Sequence, residues 1–404
     1  MSKVKTRRPA RPGTRMTIKD LAQKLGLSIT TISRALNGYS DVGEATRQRV
    51  IEAARTTGYR PNRNARRLVM QRTHSFGWIR TDSEGLFADP HFVEVFAGVL
   101  RAAGQHNYDV TFAAERDKDQ TELYDRYIRE QSVDGFIIEL PRPNDPRITL
   151  LLEAGVPFVV HGREARHTHY SWVDVDNRGL FRALVGAMID SGHKRIAFIN
   201  GDETYCYALE RRIGVGEALA ERDLPPETVR VLNSRHPMGM FGFQLTQQAL
   251  EDKKATAILY SSSIMAVEGQ AAIARSGRRA GRDIAVATMD DELRYVDLSP
   301  YANIFSFVRS SLHAAGQAIV EELVRQCESD PSPHGTMMPA RFHMLPGLKT
   351  EGLPGTAAAP PAPGQGGMSQ APSGRPETSK RCSNLSLTGE KPILSPGWKV
   401  ELPD

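Results

Sequence analysis

The first apolar pattern in the chain starts at residue 17. In "TIKDLAQKLG", Ile18, Leu21, Ala22 and Leu25 recur at helical spacing, Thr17 and Asp20 stand three apart as a capping box, and Gly26 ends the run. Ser28 is an N-cap for "ITTISRAL", where Ile32 and Leu36 share a face with Ile29 one turn earlier. Only Gly26 and Leu27 lie between the two helices, the tight connection of a helix-turn-helix. A third helix fits "EATRQRVIEAARTTG", with Val50, Ile51 and Ala54 inward and Gly58 as its stop. The second helix is left with an outward face of Thr30, Thr31, Ser33 and Arg34, where a merely solvated helix would carry Glu and Lys.

Beyond residue 73 the period changes. Short β-branched or aromatic runs ("SFGWIR", "YDVTFA", "DGFIIEL", "PFVVHG") alternate with helical segments, and a second series follows ("RIAFING", "VRVLN", "AILYS", "DIAVATMD"). Such alternation predicts parallel sheets with helices on both faces, and two series before residue 350 predict two lobes. The fold class is therefore α/β, a small all-α headpiece followed by a two-lobed core. Residues 1–15 and 351–404, the latter with "GLPGTAAAPPAPGQGG", have no pattern that could bury a core and are expected to be disordered.

Charge divides the chain in the same place. Residues 1–72 hold 17 Lys and Arg against 4 Asp and Glu, whereas the remainder holds 35 against 43, so a net charge of +5 conceals a basic head on an acidic body. That segregation points to a nucleic-acid-binding module joined to something with another task. Enzyme signatures are weak. "GVG" at 214–216 sits inside a helical segment and reads as helix packing, and neither G-x-x-x-x-G-K-[ST] nor G-x-S-x-G occurs. His161, His167 and His169 lack a cysteine partner, so no metal and no cofactor is expected. Cys206, Cys327 and Cys382 are far apart and read as free thiols of a reducing compartment; with no signal-peptide core and no membrane-length apolar run, a cytoplasmic protein is expected.

The stretches "TIKDLAQKLGLSITTISRALNG" and "VGEATRQRVIEAARTTGYRPNRNARRL" resemble the headpiece and hinge of the lac and galactose repressor (LacI/GalR) family. The resemblance implies a headpiece at 16–60 and a hinge at 61–72, with the second helix in the DNA major groove. Position by position it puts Ile29 and Thr30 at base edges, Ser28, Thr31, Ser33, Arg34 and Asn37 at or near phosphates, and Thr17 in the same surface. Short hydroxyl side chains let a helix approach closely, and Ile29 suits a thymine methyl; packing of Ile29 on the third helix stays open. In the hinge, Asn62 and Ala65 face the minor groove, and Leu68, paired with its copy from a second subunit, wedges between base pairs. A plain flexible linker is the alternative there. Gly43 departs from the family by replacing the serine that caps the third helix.

For residues 73–350 the resemblance implies the two-lobed periplasmic-binding-protein-like core. Crossovers are expected near 172–176, 303–307 and 333–337, so that lobe 1 holds about 73–173 and 307–333 and lobe 2 about 174–305 and 335–350. Ligands of such sheets sit beyond the strand carboxyl ends. The matching positions are Asp82, Asp89, His91 and Phe92 after the first strand, Arg163 after "PFVVHG", Tyr207 and Arg211 in "YCYALERR", Ser262 where the family has Asn-Asp, and Asp290 in "MDDE". "VHGREARHTHYSWVDVDNRG", "ALNGYSDV" and "ADPHF" further resemble regulators of α-glucoside uptake. The implied function is a transcriptional regulator, a repressor by expectation, that is not an enzyme. Its implied partners are a palindromic double-stranded DNA operator, a saccharide effector and a second copy of the chain, with a tetramer left open. Two other readings remain: a constitutive or architectural DNA binder with a vestigial pocket, and a sugar-binding or sugar-processing protein with an accessory head.

Overall fold

The structure, a computed structural model, describes residues 16–36, 38–59, 72–81, 89–115, 120–164, 169–251 and 254–345. The chain divides into two units, Met1–Ala358 and Ala359–Asp404, and the described residues all belong to the first. The expectations for both tails, for the hinge up to residue 71, and for Asn37, Asn62, Ala65, Leu68 and Asp82 lie outside the described residues.

Three helices form the headpiece: α1 (Ile18–Leu25), α2 (Ile29–Leu36) and α3 (Glu44–Thr57). α1 starts on a complete capping box, Thr17 Oγ1 accepting from the Asp20 amide at 3.3 Å while Asp20 Oδ2 accepts from the Thr17 amide at 2.8 Å. Gly26 closes it at φ 65°, a conformation that strains any residue with a Cβ, and so the chain can reverse in two residues. Leu21, Ile32 and Val50 are fully buried, ringed by Ala22, Ala35, Val42, Ala54 and Tyr59. Ile51, expected inward, is 43% exposed instead. It follows Val50 by one residue, about 100° around the helix, and Val50 with Ala54 already fills the inward stripe.

The rest is two parallel sheets wrapped by helices. The first lobe runs β1 (Ser75–Thr81), α4 (Pro90–Gln105), β2 (Asp109–Glu115), α5 (Thr121–Arg129), β3 (Gly135–Glu139), α6 (Pro146–Ala154), β4 (Phe158–His161) and β5 (Ser171–Asp174). The second runs α7 (Asn177–Asp190), β6 (Ile196–Asn200), α8 (Cys206–Ala220), β7 (Val229–Asn233), α9 (Phe241–Leu250), β8 (Ala257–Tyr260), α10 (Ser263–Arg275), β9 (Ala285–Asp290) and β10 (Phe305–Arg309). α11 (Leu312–Glu328) and β11 (Gly335–Met337) return to the first lobe, and β12 (Arg341–His343) to the second. The strand orders are β11-β5-β4-β3-β1-β2 and β12-β10-β9-β8-β6-β7, with β12 alone antiparallel to its neighbour.

Apolar strand runs follow from this layering. Phe136, Ile137 and Ile138 of β3 are consecutive and all fully buried, because helices cover both faces of the sheet. α4 and α11 bring Phe92, Val95, Ile319 and Leu323 onto one face, while Tyr124 of α5 and Ile148 and Leu151 of α6 cover the other. In the second lobe Phe181, Leu184, Val215 and Leu219 of α7 and α8 oppose Leu250, Met265 and Ile273 of α9 and α10. The "GVG" run lies in α8, and a Cβ on Gly214 would come within 2.1 Å of the Arg178 carbonyl oxygen, so this glycine lets α7 and α8 touch.

The first crossover is at 175–176, between β5 of the first sheet and α7. The other two come later than expected. Phe305–Arg309 pairs with β9 as a strand of the second sheet, so the chain passes back at 310–311, and Gly335–Met337 pairs with β5, so the last passage is at 338–340.

Candidate functional site

Two surfaces carry the chemistry. On the headpiece, α2 buries Ile32 and Ala35 and turns Ser28, Ile29, Thr30 and Arg34 outward, with Ile29 44% exposed and Thr31 and Ser33 half-buried. Ile29 therefore does not pack into the three-helix core. Ser28 Oγ accepts from the Thr31 amide at 3.0 Å and lies 2.8 Å from Thr31 Oγ1, which caps the helix and uses part of its hydroxyl capacity. Arg34 is ion-paired to Asp41 and sits 5.8 Å from the Tyr39 ring centroid. A helix amino terminus lined by hydroxyls presents positive dipole and small donors to an incoming phosphate.

The second surface lies between the lobes, at the carboxyl ends of their strands. Its centre is Arg211 on α8, only 7% exposed, whose Nε donates to Asn177 Oδ1 and Nη1 to the Ser261 carbonyl, both at 2.8 Å. Its guanidinium lies between the rings of Phe181 and Tyr207, 4.7 and 5.0 Å from their centroids. Burial pulls the Arg211 pKa down without neutralising a guanidinium. Asn177 Nδ2 donates to Asp174 Oδ1 at 3.1 Å, and Asp174 Oδ2 accepts from Arg163 Nε at 2.9 Å. Burial pushes the Asp174 carboxyl up although Arg163 opposes it, and the Arg163 guanidinium covers the Trp172 ring at 4.5 Å. A relay Arg163–Asp174–Asn177–Arg211 thus ties β5 and the start of α7 to α8.

His91, on the first turn of α4, joins the lobes. Its Nδ1 lies 3.0 Å from Asp89 Oδ1, which also accepts from the His91 amide at 3.0 Å as N-cap of α4. Its Nε2 lies 3.2 Å from Ser262 Oγ and 3.4 Å from Asp291 Oδ2, both in the second lobe. Burial alone would lower the imidazole pKa, but hydrogen bonds and charge from Asp291 and Asp89 outweigh it and raise it to about 9. Conversely, burial would raise the Asp89 carboxyl, and His91 and Arg80 bring it below the usual range.

Two expected pocket residues stand elsewhere. Phe92 is 1% exposed and packs with Trp78, Phe96 and Phe112 in the first-lobe core, with Arg80 over its ring, so it offers no face to a ligand. Asp290 accepts from Arg309 Nε at 2.7 Å and from the Glu292 amide at 3.0 Å, which ties it to the neighbouring strand; Asp291, the next residue, is the one that reaches across the cleft. Asp174, Asn177 and Asp291 were missed by sequence reasoning. Asp174 ends β5, Asn177 opens the helix that follows it, and Asp291 comes directly after β9, so all three lie at the carboxyl end of a strand.

The charges are largely compensated within the protein: Arg80 by Glu139, Arg163 by Asp174, Arg309 by Asp290, and His91 by Asp89 and Asp291. Arg211 is different, since its described hydrogen-bond partners are neutral oxygens. The donors and acceptors that converge at the strand ends, Arg163, Arg211, His91, Ser262, Asp174 and Asp291 among them, are of the kind a ligand with several hydroxyls needs.

Residues 17–62 match the family described as bacterial regulatory proteins, lacI family, and residues 185–343 match a periplasmic binding protein-like domain. The HTH-type transcriptional regulator AglR of Rhizobium meliloti (strain 1021) is 38% identical over 311 residues, covering 76% of this chain and 87% of the relative. The HTH-type transcriptional regulator RafR of Escherichia coli is 30% identical over 319 residues, covering 79% and 94%. A solved complex of the transcriptional regulator CelR with cellobiose superposes with a TM-score of 0.58 at 27% identity, over 82% of this chain and 99% of that one.

Proposed function

Because the chain belongs to the lacI family of bacterial regulatory proteins, we propose that it is a sequence-specific repressor whose hold on DNA is set by a neutral saccharide. The reading is carried by α2, which buries Ile32 and Ala35 yet leaves Ser28, Ile29 and Thr30 exposed at a helix amino terminus. Two headpieces of a dimer would meet the two halves of a palindromic operator, and the charge of residues 1–72 supplies salt-dependent affinity. Membership of the family and the named relatives support DNA binding as the activity, and on that reading the chain acts as a regulator and not as an enzyme. Among the described residues no helix is long and apolar enough to cross a membrane, which supports a cytoplasmic protein.

The effector is an α-glucoside or a related oligosaccharide, held between the lobes by Arg211 and the oxygens around it. Its pull is a linkage effect: to change operator occupancy tenfold it need distinguish two interlobe angles by only about 1.4 kcal/mol. The test is fluorescence anisotropy of a labelled operator duplex with and without maltose, trehalose, sucrose, raffinose and cellobiose. At least one sugar should shift the operator affinity several-fold, and Arg211→Lys should abolish the shift while leaving sugar-free binding unchanged. A specific duplex affinity with no response to any of the sugars favours the constitutive binder, to which the pairing of His91 with Ser262 and Asp291 also lends itself.

A further inference from the structure

The first turns of α4 reach the second lobe at two points using only the chain's own groups. At the first, Asp89 Oδ1 accepts from the His91 backbone and lies 3.0 Å from Nδ1, which makes Nδ1 a proton-bearing donor. Nε2 then faces the Asp291 carboxylate at 3.4 Å and Ser262 Oγ at 3.2 Å. A lone pair on Nε2 would repel Asp291, so the doubly protonated ring is the form that fits. The charged groups around it are Asp89 and Asp291, with Arg80 acting on Asp89 and Arg211 and Asp291 acting on each other. At the second point, Glu94 lies one turn further on the same face of α4. It is buried, accepts from the Arg294 amide at 3.3 Å, and has Arg294 Nη2 at 3.7 Å and His313 Nδ1 of α11 at 3.4 Å.

We infer that His91, gripping Asp291 and Ser262, is an interlobe latch that sets how readily the cleft opens. A cation on one lobe and a carboxylate on the other, both largely withdrawn from water, resist separation because each would be left without its partner. Glu94 and Arg294 repeat the connection with the signs reversed. A ligand that takes the place of His91 at Ser262 Oγ or at Asp291 Oδ2 must release His91, so the latch sets how much of its binding energy goes into moving the lobes. That last consequence rests on the regulatory reading above, while the latch itself does not.

The experiment measures interlobe distances by pulsed electron paramagnetic resonance on the full chain without sugar or DNA. Spin labels on non-natural residues replace Glu153 in the first lobe and Arg275 in the second, and unlabelled chain is added in excess. His91→Gln and Asp291→Asn should each lower the closed-to-open ratio by about fivefold or more, and the double variant should go no further. Wild-type protein moved from pH 7 to pH 10.5 should open likewise, and His91→Gln should not respond. Unchanged distances in the folded variants, simple addition of the two effects, or a wild-type distribution indifferent to pH would each overturn the latch. Since no sugar or operator is present, failure here leaves the regulatory reading standing, and a protein that ignores every sugar leaves the latch standing.

Discussion

Replacing Arg211 by Met keeps an apolar stem in place of the side chain's methylenes and removes the guanidinium from a site that is 7% exposed. Two buried acceptors lose their donors, Asn177 Oδ1 and the Ser261 carbonyl. Neither can turn away. Asn177 is held through Nδ2 by Asp174, and Ser261 is fixed by its own amide bonding to the Ile199 carbonyl at 2.9 Å. Each orphaned acceptor costs about 1–3 kcal/mol, and the lost contacts with Phe181 and Tyr207 add roughly 0.5–2 kcal/mol. The relief of no longer burying a charge offsets part of this, leaving a net loss of about 2–4 kcal/mol. With a urea dependence of roughly 2–3 kcal/mol/M, the unfolding midpoint should fall by about 1 M. The signal should be far-UV circular dichroism, because Trp78 and Trp172 both report on the first lobe. Arg211→Lys should lose less, keeping the charge and one of the two bonds. A midpoint within about 0.2 M of wild type for Arg211→Met would mean that the buried relay does not hold the second lobe together.

Gly98→Ala places a Cβ within 2.1 Å of the His313 carbonyl oxygen and should lower the melting temperature through a loss of about 1–3 kcal/mol or more, whereas Gly216→Ala in α8, with open space around it, should gain up to about 1 kcal/mol. Gly43→Ser at the amino end of α3, where no side chain caps the helix, should stabilise the headpiece by a few tenths of a kcal/mol, read in the melting of that domain. His91, raised from the ordinary 6.5 to about 9, stabilises the folded chain fully below pH 6.5 and loses that contribution as pH rises through about 9. The melting temperature should therefore fall more steeply between pH 7 and pH 10 in wild type than in His91→Gln; parallel curves would refute the shift.

The headpiece was legible because its signals are local. Capping pairs, a glycine stop and helical periodicity act within a few residues, and Ile51 was misplaced only by the single step around the helix that separates it from Val50. The sheets were legible for a similar reason, as strands covered on both faces need unbroken apolar runs. The cleft was harder. Phe92 differs from His91 by one helical position, enough to turn it from the other lobe into the core, and successive residues of a strand end point in opposite directions, so Asp290 meets Arg309 while Asp291 meets His91. Asp174 and Asn177 lie in a segment whose sequence reads as a crossover connection, whereas Ser171–Asp174 is a strand whose end faces the cleft. The late crossovers have the same origin: whether "FSFVR" belongs to one sheet or the other is decided by its pairing with β9, and nothing in the segment alone records that partner.

The most direct test is selection of duplexes from a random DNA pool by the purified full-length protein, repeated with Thr30→Ala. The account predicts enrichment of a two-fold symmetric sequence bound about a thousandfold or more above random duplex at physiological salt, with the variant relaxing the preference at the positions Thr30 would read. A pool that emerges without any preferred sequence, bound equally well whatever its base order, would contradict it.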